Sequence, residues 1–173
     1  REITNINFLI QNLLKLSRFD VNAITYNNDY YNVDEIIFKS INKLNPLCDL
    51  KNIKIEYHKQ NFNIYCDFNW QIEAITNILK NAIEHSNNSN VVIVEASDNK
   101  VYSQITIKDF GTGMSEEEQK NIFKRFYKGS SSLNDSFGIG LSLAKTIINK
   151  NNGTITVDSK KGKYTEFIIK YFK

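Results

Sequence analysis

No stretch of about 20 consecutive apolar residues runs through these 173 residues, so no helical membrane span is expected within them. No N-terminal signal peptide is recognisable either. The chain opens on Arg1, in what reads as mid-helix, and is therefore expected to be a piece of something longer, with any membrane segment upstream. Cysteine is scarce. Cys48 and Cys66 stand without a CxxC spacing or a nearby histidine, which argues against structural zinc and against a disulfide framework. Charge of one sign is nowhere concentrated: 22 basic and 19 acidic residues are scattered, the formal net charge is +3, and nucleic acid is not indicated as a partner. Histidine is equally sparse, with only His58 and His85, and no Ser/His/Asp or Cys/His arrangement marks a covalent nucleophile. Proline occurs once, at Pro46, where a helix is expected to have stopped.

What is present supports a packed core. The chain is 41% hydrophobic with 11 Phe and 9 Tyr, enough for one compact domain and too apolar for a disordered segment. Residues 1–20 read as a helix in which Ile6, Leu9, Leu13 and Leu16 repeat with steps of three and four, the seam of a helix that packs on another helix. Ile3, Ile10 and Leu14 widen that stripe, and an amphipathic helix lying on its own domain is the alternative. Asn22, Asn27, Asn28 and Asp29 then read as a linker over 21–29. From Tyr30 to the end the pattern becomes that of an α/β domain, 30–173. Tyr30–Val33 reads as a strand, Asp34 as the cap of a helix, and Ile53–Tyr57 with Phe62–Cys66 as a pair of strands. Asp67 caps a long helix whose apolar face is Ile72, Ile75, Leu79 and Ile83. Two hairpins, 91–108 and 153–172, flank a mostly polar stretch and a helix beginning at Gly138. The expected fold is an α+β two-layer sandwich, a mixed β-sheet with helices packed on one face.

Four short segments carry the chemistry. In Asn77-Ile-Leu-Lys-Asn81 the two asparagines lie one helical turn apart, off the apolar face, where neutral amide oxygens can serve a hard ion such as Mg²⁺. Two asparagines in an Asn-rich chain can also mean nothing. Asp109-Phe-Gly111-Thr-Gly113 follows a strand. A carboxylate there can accept from an exocyclic amine such as that of adenine, and the glycines let backbone pass close to a flat ring; a plain strand-ending turn is the other reading. In Ile122-Phe123-Lys-Arg125-Phe126-Tyr127-Lys128, Arg125 and Lys128 can meet phosphates while Phe123 and Phe126 anchor a lid, with Gly129 to Ser132 small and flexible behind them. Phe137-Gly138-Ile139-Gly140-Leu141-Ser-Leu opens a helix whose unpaired N–H groups can face phosphate. Its spacing is neither that of the P-loop nor that of the dinucleotide fingerprint. His85 lies one turn beyond Asn81, where it either borders a purine or merely ends the helix.

In this order the segments resemble the N, G1, F and G2 boxes of the catalytic and ATP-binding domain of bacterial sensor histidine kinases, within the wider family of heat-shock protein 90, DNA gyrase and MutL. Gly153-Thr-Ile-Thr-Val with Thr165 and Phe167 is similar to the family's closing segment. Leu13-Leu-Lys-Leu-Ser-Arg-Phe-Asp20 resembles the end of its second dimerisation helix. The resemblance implies the Bergerat-type ATP-binding fold preceded by part of a dimerisation helix at 1–20. It implies ATP and Mg²⁺ as cofactors, with Asn81 on the metal and Asn77 on the triphosphate side. Asp109, joined by Thr165, would read the adenine amine. Gly138 and Gly140, with the Ile139 and Leu141 between and after them, would face the phosphates, and Arg125 and Lys128 would stabilise the transferring group. Further implied are a homodimer in the full protein, an upstream phosphoacceptor domain, a response-regulator partner, and a cytoplasmic domain of a membrane-anchored kinase.

Three departures from the family pattern stand out. Glu84-His85 occupies the place of the usual Lys-Tyr, which removes a cation from the triphosphate side. Lys163-Tyr164 replaces a glycine before Thr165. No phosphoacceptor histidine motif occurs, so the chain alone is expected to bind ATP without phosphorylating itself. A nucleotide-gated interaction module without phosphoryl transfer remains an alternative at this level. An ATPase clamp of the gyrase or MutL kind is disfavoured because Asn77 stands where those relatives carry a general-base Glu.

Overall fold

The computed structural model describes residues 10–11, 13–19, 24–86, 90–129 and 138–173. In chain order, a helical stretch at 13–19 (α1) is followed by β1 (Asn28–Asn32), α2 (Val33–Lys51), β2 (Lys54–Tyr57), β3 (Asn63–Asp67) and α3 (Phe68–His85). Then come β4 (Val91–Asp98), β5 (Tyr102–Asp109), α4 (Glu116–Asn121), α5 (Gly140–Lys150), β6 (Gly153–Lys160) and β7 (Tyr164–Phe172). Five strands form one mixed sheet in the order β2-β4-β5-β7-β6, with β2 parallel to β4 and the other neighbours antiparallel. α3 lies between α2 and α5, and this layer covers one face of the sheet, the two-layer architecture expected.

The helix layer forms because α3 is apolar on the sides that meet its neighbours. Ile72, Ala74, Ile75, Ile78, Leu79, Ala82 and Ile83 are all buried, a stripe wider than the four positions read from periodicity. Asp67 caps it as expected, accepting from the Trp70 N–H at 3.1 Å, and accepts from Asn27 N–H as well. Under the sheet, Ile105, Ile107, Phe167 and Ile169 complete the core.

Several expectations are corrected. Ile53–Tyr57 and Phe62–Cys66 do not pair with each other: β2 joins β4 in the large sheet, while β3 pairs with β1 in a sheet of two strands. Alternation shows which face a strand buries but not which strand it joins. The helix expected to stop before Pro46 runs five residues past it, to Lys51. Pro46 lies on the exposed face, so the carbonyl it leaves unpaired, on exposed Asn42, meets water while Leu44 and Cys48 stay buried. Asn32 rather than Asp34 caps that helix, accepting from Asp34 N–H at 2.9 Å. The Asp34 carboxylate instead accepts from the Tyr57 hydroxyl and from the Gln60 and Asn61 N–H groups, stitching α2 to the chain after β2. Asn28 and Asp29, read from sequence as linker, are the first residues of β1.

The α1 stripe divides. Leu16 and Phe19 are buried on the domain, with the Phe19 ring edge-on to Trp70 at 4.8 Å, and Lys15 Nζ reaches Glu73 of α3 at 2.7 Å. Ile10, Leu13 and Leu14 are exposed. Ile3, Ile6, Leu9 and Asn22 lie outside the described residues.

Candidate functional site

The four chemical segments meet through a series of specific contacts. Asp109 is the last residue of β5, 1% exposed, and stands directly across from Thr165 of β7, which is 5% exposed. Opposed residues of an antiparallel pair share a face, so the carboxylate and the hydroxyl look the same way. Burial pushes the Asp109 carboxyl up to about 7 against a single hydrogen bond from Gly111 N–H at 3.0 Å. A group so poised, in a fold where buried Asp34 and Asp67 each accept from two or more donors, marks this spot chemically.

Gly111 holds the turn against the end of α3. A Cβ there would lie 1.8 Å from the His85 carbonyl oxygen, so no other residue fits without moving backbone. Thr112 N–H donates to that same carbonyl at 3.3 Å, and Gly113 leads on toward the β6–β7 turn, where Gly162 N–H donates to the Thr112 carbonyl at 2.7 Å. His85, the last residue of α3, is half-buried. Burial lowers its pKa, with Glu84 opposing and Lys51 reinforcing that shift, and its imidazole is therefore neutral at physiological pH.

On α3, Asn77 donates from Nδ2 to the Glu73 carbonyl at 2.9 Å, which turns its amide oxygen toward α5. That oxygen lies 3.0 Å from where a Cβ at Gly140 would be. Asn81 follows one turn later, half-buried. Amide oxygens on one helix stripe fit a hard divalent ion that takes its remaining ligands from phosphate and water. Among the described residues there is no group of three or more His, Cys, Asp or Glu that could hold a metal.

α5 begins at Gly140, two residues later than expected, with Ile139 at the capping position and no side-chain cap on its first-turn N–H groups. Ile139 and Leu141 are 3% and 8% exposed, so their side chains belong to the core and only their backbone N–H groups can meet a ligand. Gly138 precedes the helix with φ +66°, and its carbonyl accepts from Phe126 N–H at 2.9 Å; a Cβ there would strike the Tyr127 carbonyl at 2.4 Å. The F-box end and the G2-box start are thus pinned together. Phe123 anchors this segment with its ring 6.2 Å from that of Phe167, beneath the Lys145 ammonium. Arg125, Phe126 and Lys128 are exposed. Ser130 through Ser132, read from sequence as part of a lid, and Phe137 lie outside the described residues.

Residues 67–173 match the family described as histidine kinase-, DNA gyrase B- and HSP90-like ATPase. The chain belongs to this family. The Heme sensor protein HssS of Staphylococcus saprophyticus is 35% identical over 170 residues, covering 98% of this chain and 37% of HssS. The chain thus spans just over a third of that relative's length. Among solved structures, the histidine kinase AdeS of Acinetobacter baumannii superposes with a TM-score of 0.83 at 20% identity, over 98% of this chain and 79% of that one. ShkA, solved in complex with AMPPNP, gives a TM-score of 0.86 at 20% identity, over 99% of this chain and 37% of that one. At such identities the structures establish a shared fold.

Two residues of this histidine kinase-like domain were missed in the sequence. Lys51 donates to the Glu84 carbonyl at 2.8 Å, which places an ammonium at the C-terminal turn of α3. Ending α2 at Pro46 concealed it. Ser159 of β6 stands opposite Thr165, and nothing in its local sequence announces a role.

Proposed function

We propose that this chain is the ATP-binding catalytic module of a bacterial sensor histidine kinase. It would donate the ATP γ-phosphoryl group to a histidine on a dimerisation domain, for relay to a response-regulator aspartate. The observation that carries this reading is the buried, poorly compensated Asp109 beside Thr165, on the same domain as the Asn77–Gly140 contact between two helices. Asp109 would accept from the adenine amine, Gly111 and Gly113 would let backbone approach the ring, and His85 would border it. The N–H groups at Gly138 to Leu141 would take phosphate oxygens at the positive end of α5. Asn77 would orient the triphosphate, with Arg125 and Lys128 reaching the transferring group from a segment that Phe123 anchors.

Asn81 is the residue that would hold Mg²⁺, which when bound would neutralise charge on the phosphate oxygens. In the transfer an imidazole nitrogen of the acceptor attacks the γ-phosphorus. The N–P bond forms as the P–O bond to the β-phosphate breaks, the imidazole N–H proton passes to solvent, and ADP leaves. The chain's contribution is positioning and charge stabilisation.

The exposed Ile10, Leu13 and Leu14 support a homodimer formed through the continuation of α1. A cytoplasmic location in a membrane-anchored parent is part of the same reading; among the described residues no helix is long and apolar enough to cross a membrane. Calorimetric titration with ADP and AMPPNP, with and without Mg²⁺, tests the site. Mixing the chain with ATP and the phosphoacceptor domain of its parent tests the transfer. Failure of wild-type protein to bind either nucleotide would sink the reading.

A further inference from the structure

Three neighbouring strands place Asp109, Thr165 and Ser159 in one row across the sheet, since Asp109 pairs with Thr165 and Thr165 with Ser159. Among the described residues the Ser159 hydroxyl has three hydrogen-bonding neighbours. It donates its single proton to the Tyr164 carbonyl at 2.7 Å. One of its lone pairs accepts from Met114 N–H at 2.8 Å. The remaining contact, 3.2 Å to Thr165 Oγ1, is a hydrogen bond only if Thr165 is the donor, because a serine hydroxyl has one proton and it is already committed.

The consequence falls on Thr165. With its proton directed at Ser159, its hydroxyl can offer a ligand only lone pairs. Ionised Asp109 likewise offers only lone pairs. The edge that Asp109 and Thr165 share therefore accepts hydrogen bonds and donates none. Such an edge suits a purine carrying an amine at position 6, directly or through a water whose protons point inward. It opposes a purine carrying a carbonyl there, whose oxygen would face lone pairs. Discrimination of this kind is strong because a mismatched buried polar edge is left unpaired.

We infer that Ser159 is a positioning residue for base selection, fixing the Thr165 hydroxyl as an acceptor so that the site takes 6-amino purines and rejects 6-oxo purines. The inference rests on the nucleotide-binding function proposed above. Met114 N–H also draws the start of the α4 segment onto the same oxygen, and Gln119 Nε2 donates to the Ser159 carbonyl at 2.9 Å. Base selection and the docking of the α4 segment consequently share one residue.

The test is calorimetric titration of wild type, Ser159→Ala, Thr165→Val and Thr165→Ser with ADP and with GDP at pH 8, where Asp109 is ionised. Wild type should bind ADP far more tightly than GDP. Removal of the Ser159 acceptor frees the Thr165 proton to turn toward a 6-oxo group, so Ser159→Ala should narrow the ratio of GDP to ADP dissociation constants by roughly tenfold. Thr165→Val should narrow it by weakening ADP with no gain for GDP, and Thr165→Ser should restore the wild-type ratio. A purely structural role for Ser159 would weaken both nucleotides together. An unchanged ratio in Ser159→Ala therefore overturns the inference. If Ser159→Ala does not fold, a Thr165→Val protein that loses affinity for GDP and not for ADP overturns it equally. Wild type that binds neither nucleotide refutes the parent reading instead.

Discussion

Replacing Asp109 by Asn should stabilise the nucleotide-free protein while removing its ability to read adenine. The carboxyl has a pKa of 3.8 in its ordinary state and about 7 in the fold, because burial opposes its charge. Every tenfold change in proton affinity corresponds to about 1.4 kcal/mol of difference between the protonation states. The folded pKa is the higher one, so the folded state holds its proton longer. No penalty exists below pH 3.8, where both folded and unfolded chains are protonated. Between 3.8 and 7 the unfolded chain ionises and the folded one does not, so stability falls with rising pH. Above 7 both are ionised and the penalty levels off at about 4 kcal/mol. Asparagine is nearly the same shape, can still accept from Gly111 N–H, and cannot ionise. The variant should therefore exceed wild type by about 1.5 kcal/mol at pH 5 and by about 4 kcal/mol at pH 8. Urea denaturation without nucleotide measures this. With an m-value of about 2 kcal/mol/M, the midpoints should differ by a little under 1 M at pH 5 and by about 2 M at pH 8. Taking the difference between two proteins at each pH cancels every other titrating group. Midpoints that differ equally at both pH values, or an Asn variant less stable than wild type at pH 8, would refute the reasoning. Addition of ADP completes the picture: at 100 times its dissociation constant it should raise wild-type stability by about 2.7 kcal/mol and the variant's not at all.

Because the adenine amine favours the ionised carboxylate, ADP affinity should rise as pH passes from 6 to 8, and binding near pH 7 should release a proton, visible as a buffer-dependent enthalpy in calorimetry. Gly111→Ala should destabilise the fold by about 3 kcal/mol or more and abolish ADP binding, since its Cβ meets the His85 carbonyl oxygen; urea unfolding and titration together read both effects. Asn81→Ala should erase the Mg²⁺-dependent part of AMPPNP binding and leave metal-free ADP binding within a few-fold of wild type. Phe19→Ala should cost about 3 kcal/mol, whereas Lys15→Ala, which breaks a partly exposed ion pair, should cost about 1 kcal/mol or less by the same assay.

Much of this site could be read from residues alone because its chemistry is local. Asn77 and Asn81 share a helix, Asp109 and Gly111 share a turn, and Asp67 caps the helix it precedes, so spacing along the chain determines their spacing in space. The parts that escaped notice are those where distant segments meet. Ser159 takes its hydrogen bond from Met114, 45 residues away, and Lys51 reaches across 33 residues to Glu84. The pairing of β2 with β4 and of β1 with β3 is likewise invisible to alternation, which records burial and not partnership. Leu16 fits both a helix seam and a surface helix, and only its burial against the domain separates the two uses. Pro46 misled because a proline's missing N–H matters little when the carbonyl it abandons faces water.

The hydrogen bond from Phe126 to the Gly138 carbonyl has a consequence for how such domains can diverge. It joins the end of one box to the start of the other through backbone groups alone, with no side chain of either residue taking part. Substitution of the exposed Phe126 side chain should therefore leave the junction in place, whereas any residue with a Cβ at position 138 would strike the Tyr127 carbonyl and break it. Descent can thus vary the side chains beside this junction more freely than the glycine that makes it.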